Sequence, residues 1–219
     1  FHVTYSVSGT VNFAQGSSMM LGAVLAYTFA VTLAWPLVPA VLLSLALCAL
    51  YGALVEIVAV RPFARRGSNA WLMATVALGI LADNTVLFTF GKEPRGFAMS
   101  WATGSFQLLE INVSLLQAAI PVVGLALAAG LHLFSRRTRL GTAMLAVVQN
   151  ADAARLMGIN VPLAICASYA ASTVFAGAAG IMIAPLFNVH SDMGTLFGLK
   201  AFAVAILGDR REEELGVEV

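Results

Sequence analysis

Few side chains in this sequence could do chemistry, and most of them lie inside apolar stretches. Asp83 and Asn84 are neighbours in one such stretch, Lys200 lies in another, and Asn12 and Gln15 interrupt the first. If these stretches cross a membrane, a charged residue at mid-span costs about 2.5–3.5 kcal/mol on insertion scales. Two interpretations stay open for Asp83, Asn84 and Lys200. They could form the polar lining of a substrate path, or they could be a structural pair with Lys200 reaching toward the membrane surface.

The other reactive side chains do not indicate an enzyme. His190, Ser191 and Asp192 are adjacent in the sequence, whereas catalytic triads are assembled from distant segments. The sequence contains no Walker A, GxGxxG, HExxH or CxxC pattern. We therefore expect a protein that is not an enzyme, with no nucleotide site, no metal site and no cofactor.

The composition predicts an integral membrane protein. Of 219 residues, 60% are hydrophobic and 11% are charged, whereas a soluble domain has about 25% charged residues. No Asp, Glu, Lys or Arg occurs in residues 1–55 or 156–191, and a spanning helix needs only about 20 apolar residues. The net charge of +1 offers no basic surface for nucleic acid. We expect an all-α, polytopic bundle of transmembrane helices.

Charges and helix-breaking residues divide the sequence into about six spans. Glu56 lies near the end of the second span, and we expect it to pair with Arg61 or Arg65. Residues 1–16 suggest the end of an earlier helix followed by an irregular turn, in which Asn12 and Gln15 could line a cavity. The predicted spans are residues 17–34, 39–60, 70–90, 114–134, 163–184 and 195–207.

The basic residues predict the orientation of these spans. With alternating spans, nine Lys or Arg residues fall in loops on one side and two, Lys92 and Arg95, fall on the other. Basic residues concentrate on the cytoplasmic side of membrane proteins. The Arg-rich side is therefore expected to be cytoplasmic, and the segment from Gly91 to Val113 is expected to be an external loop.

The fifth span carries small residues at a strict spacing of four. Such a stripe lets a second helix backbone come close, which is how helices associate in lipid. We interpret it as a packing face, either inside the subunit or against a partner. The stripe consists of Ala164, Ser168, Ser172, Ala176, Gly180 and Ala184.

The segment of residues 135–162, on the predicted cytoplasmic side, is amphipathic and contains a candidate short helix. Ala151, Ala154 and Arg155 are spaced i, i+3 and i+4, so they share one helical face. Gly158 is a plausible C-cap, because glycine adopts the left-handed conformation without strain. The helix could be a connector or a docking element for a soluble partner.

Part of this segment resembles a known family. Residues 138–161, TRLGTAMLAVVQNADAARLMGINV, resemble the cytoplasmic coupling loop of branched-chain amino-acid ABC transporter permeases. Residues 11–22 (VNFAQGSSMMLG) look like the family's N-F-A-x-G segment, and residues 51–65 match its G-x3-E-x4-R-P pattern. Residues 199–208 (LKAFAVAILG) resemble the stretch that enters its Gly-rich loop. The resemblance is collinear from about residue 5 to residue 208.

The resemblance implies a permease subunit of an ABC importer for branched-chain or related hydrophobic amino acids, in a bacterial or archaeal cytoplasmic (inner) membrane. Its implied partners are ABC ATPase subunits, a second permease subunit and an extracytoplasmic substrate-binding protein. One permease domain would span 1–208, with the first and last family helices missing and a charged, unrelated tail at 209–219. The residues implied in ATPase coupling are Gln149, Asn150, Ala151, Ala154, Arg155, Gly158 and Ile159.

The sequence also departs from the family and leaves alternatives open. The family usually has a basic residue where Leu145 stands and a glutamate where Gln149 stands. Relatives that transport urea or short amides share the same pattern, so they remain an alternative. A secondary transporter driven by an ion gradient, with Asp83 as its coupling site, is another.

Overall fold

The computed structural model describes residues 2–64, 68–97, 105–108 and 111–215. These residues are almost entirely helical, with one short antiparallel hairpin (β1–β2) within the predicted external loop. The elements are α1 (His2–Ser8), α2 (Gln15–Tyr27), a π-helical turn (Thr28–Thr32), α3 (Leu37–Val55), a second π-helical turn (Glu56–Val60), α4 (Arg61–Ala64), α5 (Ala70–Phe90), β1 (Ser105–Leu108), β2 (Ile111–Ser114), α6 (Leu115–Arg137), α7 (Arg139–Gln149), α8 (Ala151–Leu156), α9 (Val161–Phe187) and α10 (Met193–Leu215).

The helices confirm the prediction of an all-α, polytopic membrane protein. Among the described residues, four helices are long and apolar enough to cross a membrane, and a shorter apolar helix covers Met193–Val204. The helix that begins at Gln15 continues through the π-helical turn to Thr32, where the first span was predicted. The four long helices are Leu37–Ala64, Ala70–Phe90, Ala119–Arg137 and Val161–Phe187.

Helix α9 lies at the centre of the bundle, because its small residues let two other helices approach closely. A Cβ added at Gly22 of α2 would collide with the backbone of Gly177 in α9. A Cβ at Gly52 of α3 would lie 2.7 Å from the carbonyl oxygen of Tyr169 in α9. Of the small-residue stripe, all members but Ala176 are buried, and a Cβ at Gly180 would collide with the Met19 backbone of α2. The stripe of the fifth span is thus a packing face inside the subunit.

The chain between α1 and α2 is irregular, as the sequence predicted, and it is covered by protein. Thr10 and Asn12 are buried in this turn, and the Thr10 hydroxyl lies 2.7 Å from the Tyr169 hydroxyl of α9. Non-helical backbone at membrane depth is tolerated where protein or water surrounds it. Packing on α9 therefore lets the chain break its helix here.

Loops that the charge pattern predicted on the same side of the membrane contact each other at the same end of the bundle. Arg61 donates two hydrogen bonds to Glu56, with Nε–Oε1 and Nη2–Oε2 distances of 3.0 and 2.6 Å, and a cavity joins this pair to Arg155. At the opposite end, Arg95 and Val189 exchange backbone hydrogen bonds of 2.9 and 2.8 Å. The predicted pairing of Glu56 with Arg61 is confirmed; the other candidate, Arg65, lies outside the described residues.

We expect Gly22→Ala to destabilise the bundle, because the new Cβ would push α2 away from α9. Overpacking of this kind costs typically about 1–3 kcal/mol, which exceeds the gain of about 1 kcal/mol in helix propensity. The measurement is the thermal denaturation midpoint of the detergent-solubilised protein.

Gly124→Ala is the matched control, since it makes the same chemical change in α6, where nothing lies within 4 Å of the new Cβ. Its midpoint should stay at or above that of the wild type. Equal midpoints for the two variants would contradict the close contact between α2 and α9.

Candidate functional site

A cavity of about 210 Å³ lies between α2, α5 and α10. It forms beside the crossing of α2 and α10, where a Cβ at Gly194 would lie 2.6 Å from the carbonyl oxygen of Gly16. The cavity is lined by Phe13, Gly16, Ser17, Val76, Gly79, Ile80, Asp83, Gly194, Thr195, Gly198, Leu199 and Phe202. Most of these lining residues are apolar, and only Asp83 among them carries a charged side chain.

The carboxyl group of Asp83 is incompletely satisfied. Its Oδ1 atom is buried and makes no hydrogen bond among the described residues. Ser17 and Thr195 line the same cavity as this side chain, and Asp192 carries a like charge nearby. Because buried polar atoms in proteins are normally paired, an incompletely paired carboxylate on a residue that lines a cavity indicates a place for a cationic or hydrogen-bond-donating ligand.

The structure separates Asp83 from Asn84 and Lys200. Asn84 is exposed on the outside of α5 and donates a hydrogen bond of 2.8 Å to the carbonyl of Ile80, one turn earlier. Lys200 is exposed on α10, and its ammonium nitrogen lies 5.7 Å from the ring centre of Phe197. Neither residue lines the cavity that contains Asp83.

Asn12 and Gln15 form a separate polar network that fixes the irregular turn to α9. Asn12 Nδ2 donates to Gln15 Oε1 over 3.3 Å. Gln15 Nε2 in turn donates to the carbonyl of Ser172 over 2.8 Å, and the Ser172 hydroxyl donates back to Gln15 Oε1 over 3.1 Å. The sequence suggested that these two side chains could line a cavity. In the structure they bond to each other and to α9, and their neighbours Phe13 and Gly16 line the Asp83 cavity.

Helix α7 holds the 135–162 segment against the bundle by one apolar face. Its N-cap is Thr138, whose hydroxyl accepts a hydrogen bond of 3.0 Å from the Gly141 amide. Gly141, Met144 and Val147 are buried, spaced three residues apart along one side of the helix. This face packs toward Val7 of α1 and toward the beginning of α9.

Helix α8 is short but capped at both ends. Asn150 Oδ1 accepts hydrogen bonds of 3.1 and 2.9 Å from the amides of Asp152 and Ala153, the second and third residues of the helix. At the other end, Gly158 has φ of +84°, and its amide bonds to the carbonyl of Arg155. The Ile159 amide bonds to the carbonyl of Ala154, which completes a Schellman motif. The prediction that Gly158 caps this helix is confirmed.

The exposed face of α8 differs from the one that the sequence indicated. Ala154 was expected on a docking face, but it is 4% exposed and packs against Val161 and Ala164 of α9. Arg155 is exposed and forms an ion pair of 3.1 Å with Asp152. Ala151 and Ile159 are half-buried, whereas Gln149, Asn150 and Gly158 are exposed.

Two exposed apolar residues of this segment were missed by sequence reasoning. Leu156 and Met157 are 89% and 83% exposed at the end of α8. The sequence did contain a feature that could have predicted their exposure. Two consecutive apolar residues directly precede a glycine C-cap in a segment that is otherwise moderately polar. Exposed apolar side chains at a bundle's end are candidates for contact with a partner protein.

The comparisons with known proteins identify the family of the chain. The family described as branched-chain amino acid transport system / permease component matches residues 1–212. The chain belongs to this family. No solved structure matches it.

Curated relatives of this permease occur in bacteria and an archaeon. The high-affinity branched-chain amino acid transport system permease protein LivH of Salmonella typhimurium is 27% identical over 95% of this chain and 72% of its own length. The permease protein BraD of Pseudomonas aeruginosa gives the same three values. A probable LivH of Methanocaldococcus jannaschii is also 27% identical, over 95% of this chain and 68% of its own length.

We expect Ser172→Leu to destabilise the permease, because it removes the hydrogen bond to Gln15 and inserts a larger side chain at a site that is 4% exposed. Ser172→Ala, which removes only the hydrogen bond, should cost about 1 kcal/mol. The measurements are the thermal midpoint and the yield of folded protein from the membrane.

Val174→Leu is the control, since Val174 lies two residues further along α9, is half-buried and is not in the stripe. Its midpoint should stay close to that of the wild type. A Ser172→Leu variant as stable as Val174→Leu would rule out a close contact at this position.

Proposed function

We propose that this chain is the permease subunit of an ABC importer that moves branched-chain or related hydrophobic amino acids across a cytoplasmic membrane. The observation that carries the proposal is the family match over residues 1–212. The relatives support the substrate class, because their names describe branched-chain amino acid transport. In this proposal a separate ATPase supplies the energy, a second permease subunit completes the pathway, and a soluble binding protein delivers the amino acid.

The shape of the 135–162 segment supports a role for it as the ATPase contact. We define its docking face as the exposed residues Gln149, Asn150, Arg155, Leu156, Met157 and Gly158. Caps at both ends stabilise α8, so the docking face can keep its shape when a partner binds. An apolar centre beside a charged group is also typical of protein interfaces.

The same segment is joined to the centre of the bundle, which would allow movement to be transmitted. Behind the docking face, Ala154 packs on α9 through Val161 and Ala164. A cavity of about 180 Å³ lies between Arg155 and the Glu56–Arg61 ion pair. A shift of α8 would therefore act on α9 by direct packing and on the end of α3 by closing or opening this space.

The orientation that this proposal requires can be tested by cysteine labelling. Thr142→Cys, exposed on α7, should react with a membrane-impermeant maleimide only from the cytoplasmic side. Glu93→Cys, exposed beyond the end of α5, should react only from outside. The background is the chain with Cys48 and Cys166 replaced by alanine. Labelling in the reverse pattern would overturn the orientation and place the docking face away from any ATPase.

We expect the double variant Leu156→Asp, Met157→Asp to lower amino-acid uptake at least tenfold, because it puts two charges into the centre of the docking face. Neither side chain packs in the bundle, so membrane insertion should be unchanged. The measurements are uptake by the complete transporter and the ATP hydrolysis stimulated by loaded binding protein.

Thr142→Asp is the control for an added charge on the same segment outside the docking face. It should transport at close to the wild-type rate. Wild-type uptake in the double variant, with the ATPase still bound, would mean that α8 is only a connector.

A further inference from the structure

Asp83, whose Oδ1 atom is buried and unpaired among the described residues, lines a cavity together with residues that carry other hydrogen-bond acceptors. Ser17 donates its proton to the carbonyl of Gly79 over 3.2 Å, so lone pairs of its oxygen remain available. Thr195 faces the same space from α10. Asp83, Ser17 and Thr195 belong to three different helices, α5, α2 and α10, and all three residues line this one cavity.

These acceptors match the requirements of a primary ammonium group. An ammonium group has three N–H donors and no acceptor, and Asp83 with Ser17 and Thr195 can supply three acceptors. The negative charge of Asp83 would be balanced in the same place, which removes much of the cost of a charge at membrane depth. A neutral hydroxyl or amide ligand would leave that charge uncompensated.

The remainder of the wall suits an aliphatic side chain. Val76, Ile80 and Leu199 contribute branched apolar groups. Phe13 and Phe202 pack with their ring centres 5.3 Å apart at the same cavity, and aromatic faces also attract a cation. The volume of about 210 Å³ is well above the roughly 10–15 Å³ that a cavity needs to hold one water molecule. A small amino acid therefore has room here, with its ammonium group at Asp83.

We propose that the Asp83 cavity holds the α-ammonium group of an aliphatic amino-acid substrate during its passage, with Asp83 as counter-ion and the hydroxyls of Ser17 and Thr195 as additional acceptors. The proposal rests on the importer function proposed above. It assigns the ammonium group to a single carboxylate of this subunit. Asn84, the adjacent polar residue, has no part in it because it is exposed and does not line the cavity.

The test compares Asp83→Asn with the wild type in the complete transporter, reconstituted in liposomes with the loaded binding protein. Uptake of L-leucine per ATP hydrolysed should fall at least tenfold, while stimulated ATP hydrolysis stays within twofold of the wild type. Asp83→Glu keeps the charge and should recover part of the uptake. Asn84→Ala, a change at the exposed neighbour, should transport as the wild type does.

A second variant keeps the test decisive if Asp83→Asn does not assemble. Thr195→Val removes one acceptor at nearly constant volume, and uptake should fall severalfold with normal assembly. Leucine uptake that is unimpaired in Asp83→Asn, or in Thr195→Val when Asp83→Asn fails to assemble, would overturn the proposal.

Two further outcomes separate this proposal from the function on which it rests. If the wild type imports leucine only with a sodium or proton gradient, and Asp83→Asn abolishes that requirement, the site belongs to an inorganic cation and the ammonium assignment fails. If the assembled wild type hydrolyses ATP but imports no amino acid, the proposed function fails, and the ammonium site fails with it. Wild-type import combined with an unimpaired Asp83→Asn contradicts the ammonium site alone.

Discussion

The close approach of α2 to α9 is the contact on which the rest of this structure depends. A Cβ at Gly22 would collide with the backbone of Gly177, and the Met19 backbone occupies the space beside Gly180. In lipid there is no hydrophobic drive between helices, so close packing and buried hydrogen bonds must hold them together. This contact places the start of α2 against the middle of α9, where Ser172 can satisfy the polar side chain of Gln15.

Two features that we associate with transport depend on this contact: the Asp83 cavity and the support of α8 by α9. Because α9 satisfies the polar groups of the irregular turn, the chain can break its helix before α2 and still lie within the bundle. The break brings Phe13 and Ser17 to the wall of the Asp83 cavity. The first turns of α9 also support α8 through Ala154, so one continuous helix extends from the docking face to the helices around the cavity. That continuity is what a permease driven by an external ATPase would require.

The sequence predicted the spans well and the faces of short segments less well. Charges and prolines mark where helices leave the membrane, so residues 70–90 were predicted with the bounds that α5 has. A helix of six residues such as α8 has too few turns for its pattern to define a buried side, and packing on α9 decided that Ala154 is buried. Adjacency in sequence likewise suggested that Asp83 and Asn84 act together. On a helix, however, neighbours are about 100° apart, so only Asp83 reaches the cavity.

Cross-linking to the ATPase tests the central claim most directly. In the chain with Cys48 and Cys166 replaced by alanine, Leu156→Cys and Glu93→Cys place single reactive groups at opposite ends of the bundle. The account predicts that a short bifunctional maleimide joins the Leu156→Cys permease to a cysteine on the ATPase surface of the assembled transporter, and that Glu93→Cys gives no such product. An ATPase adduct from Glu93→Cys, with none from Leu156→Cys, would contradict the account.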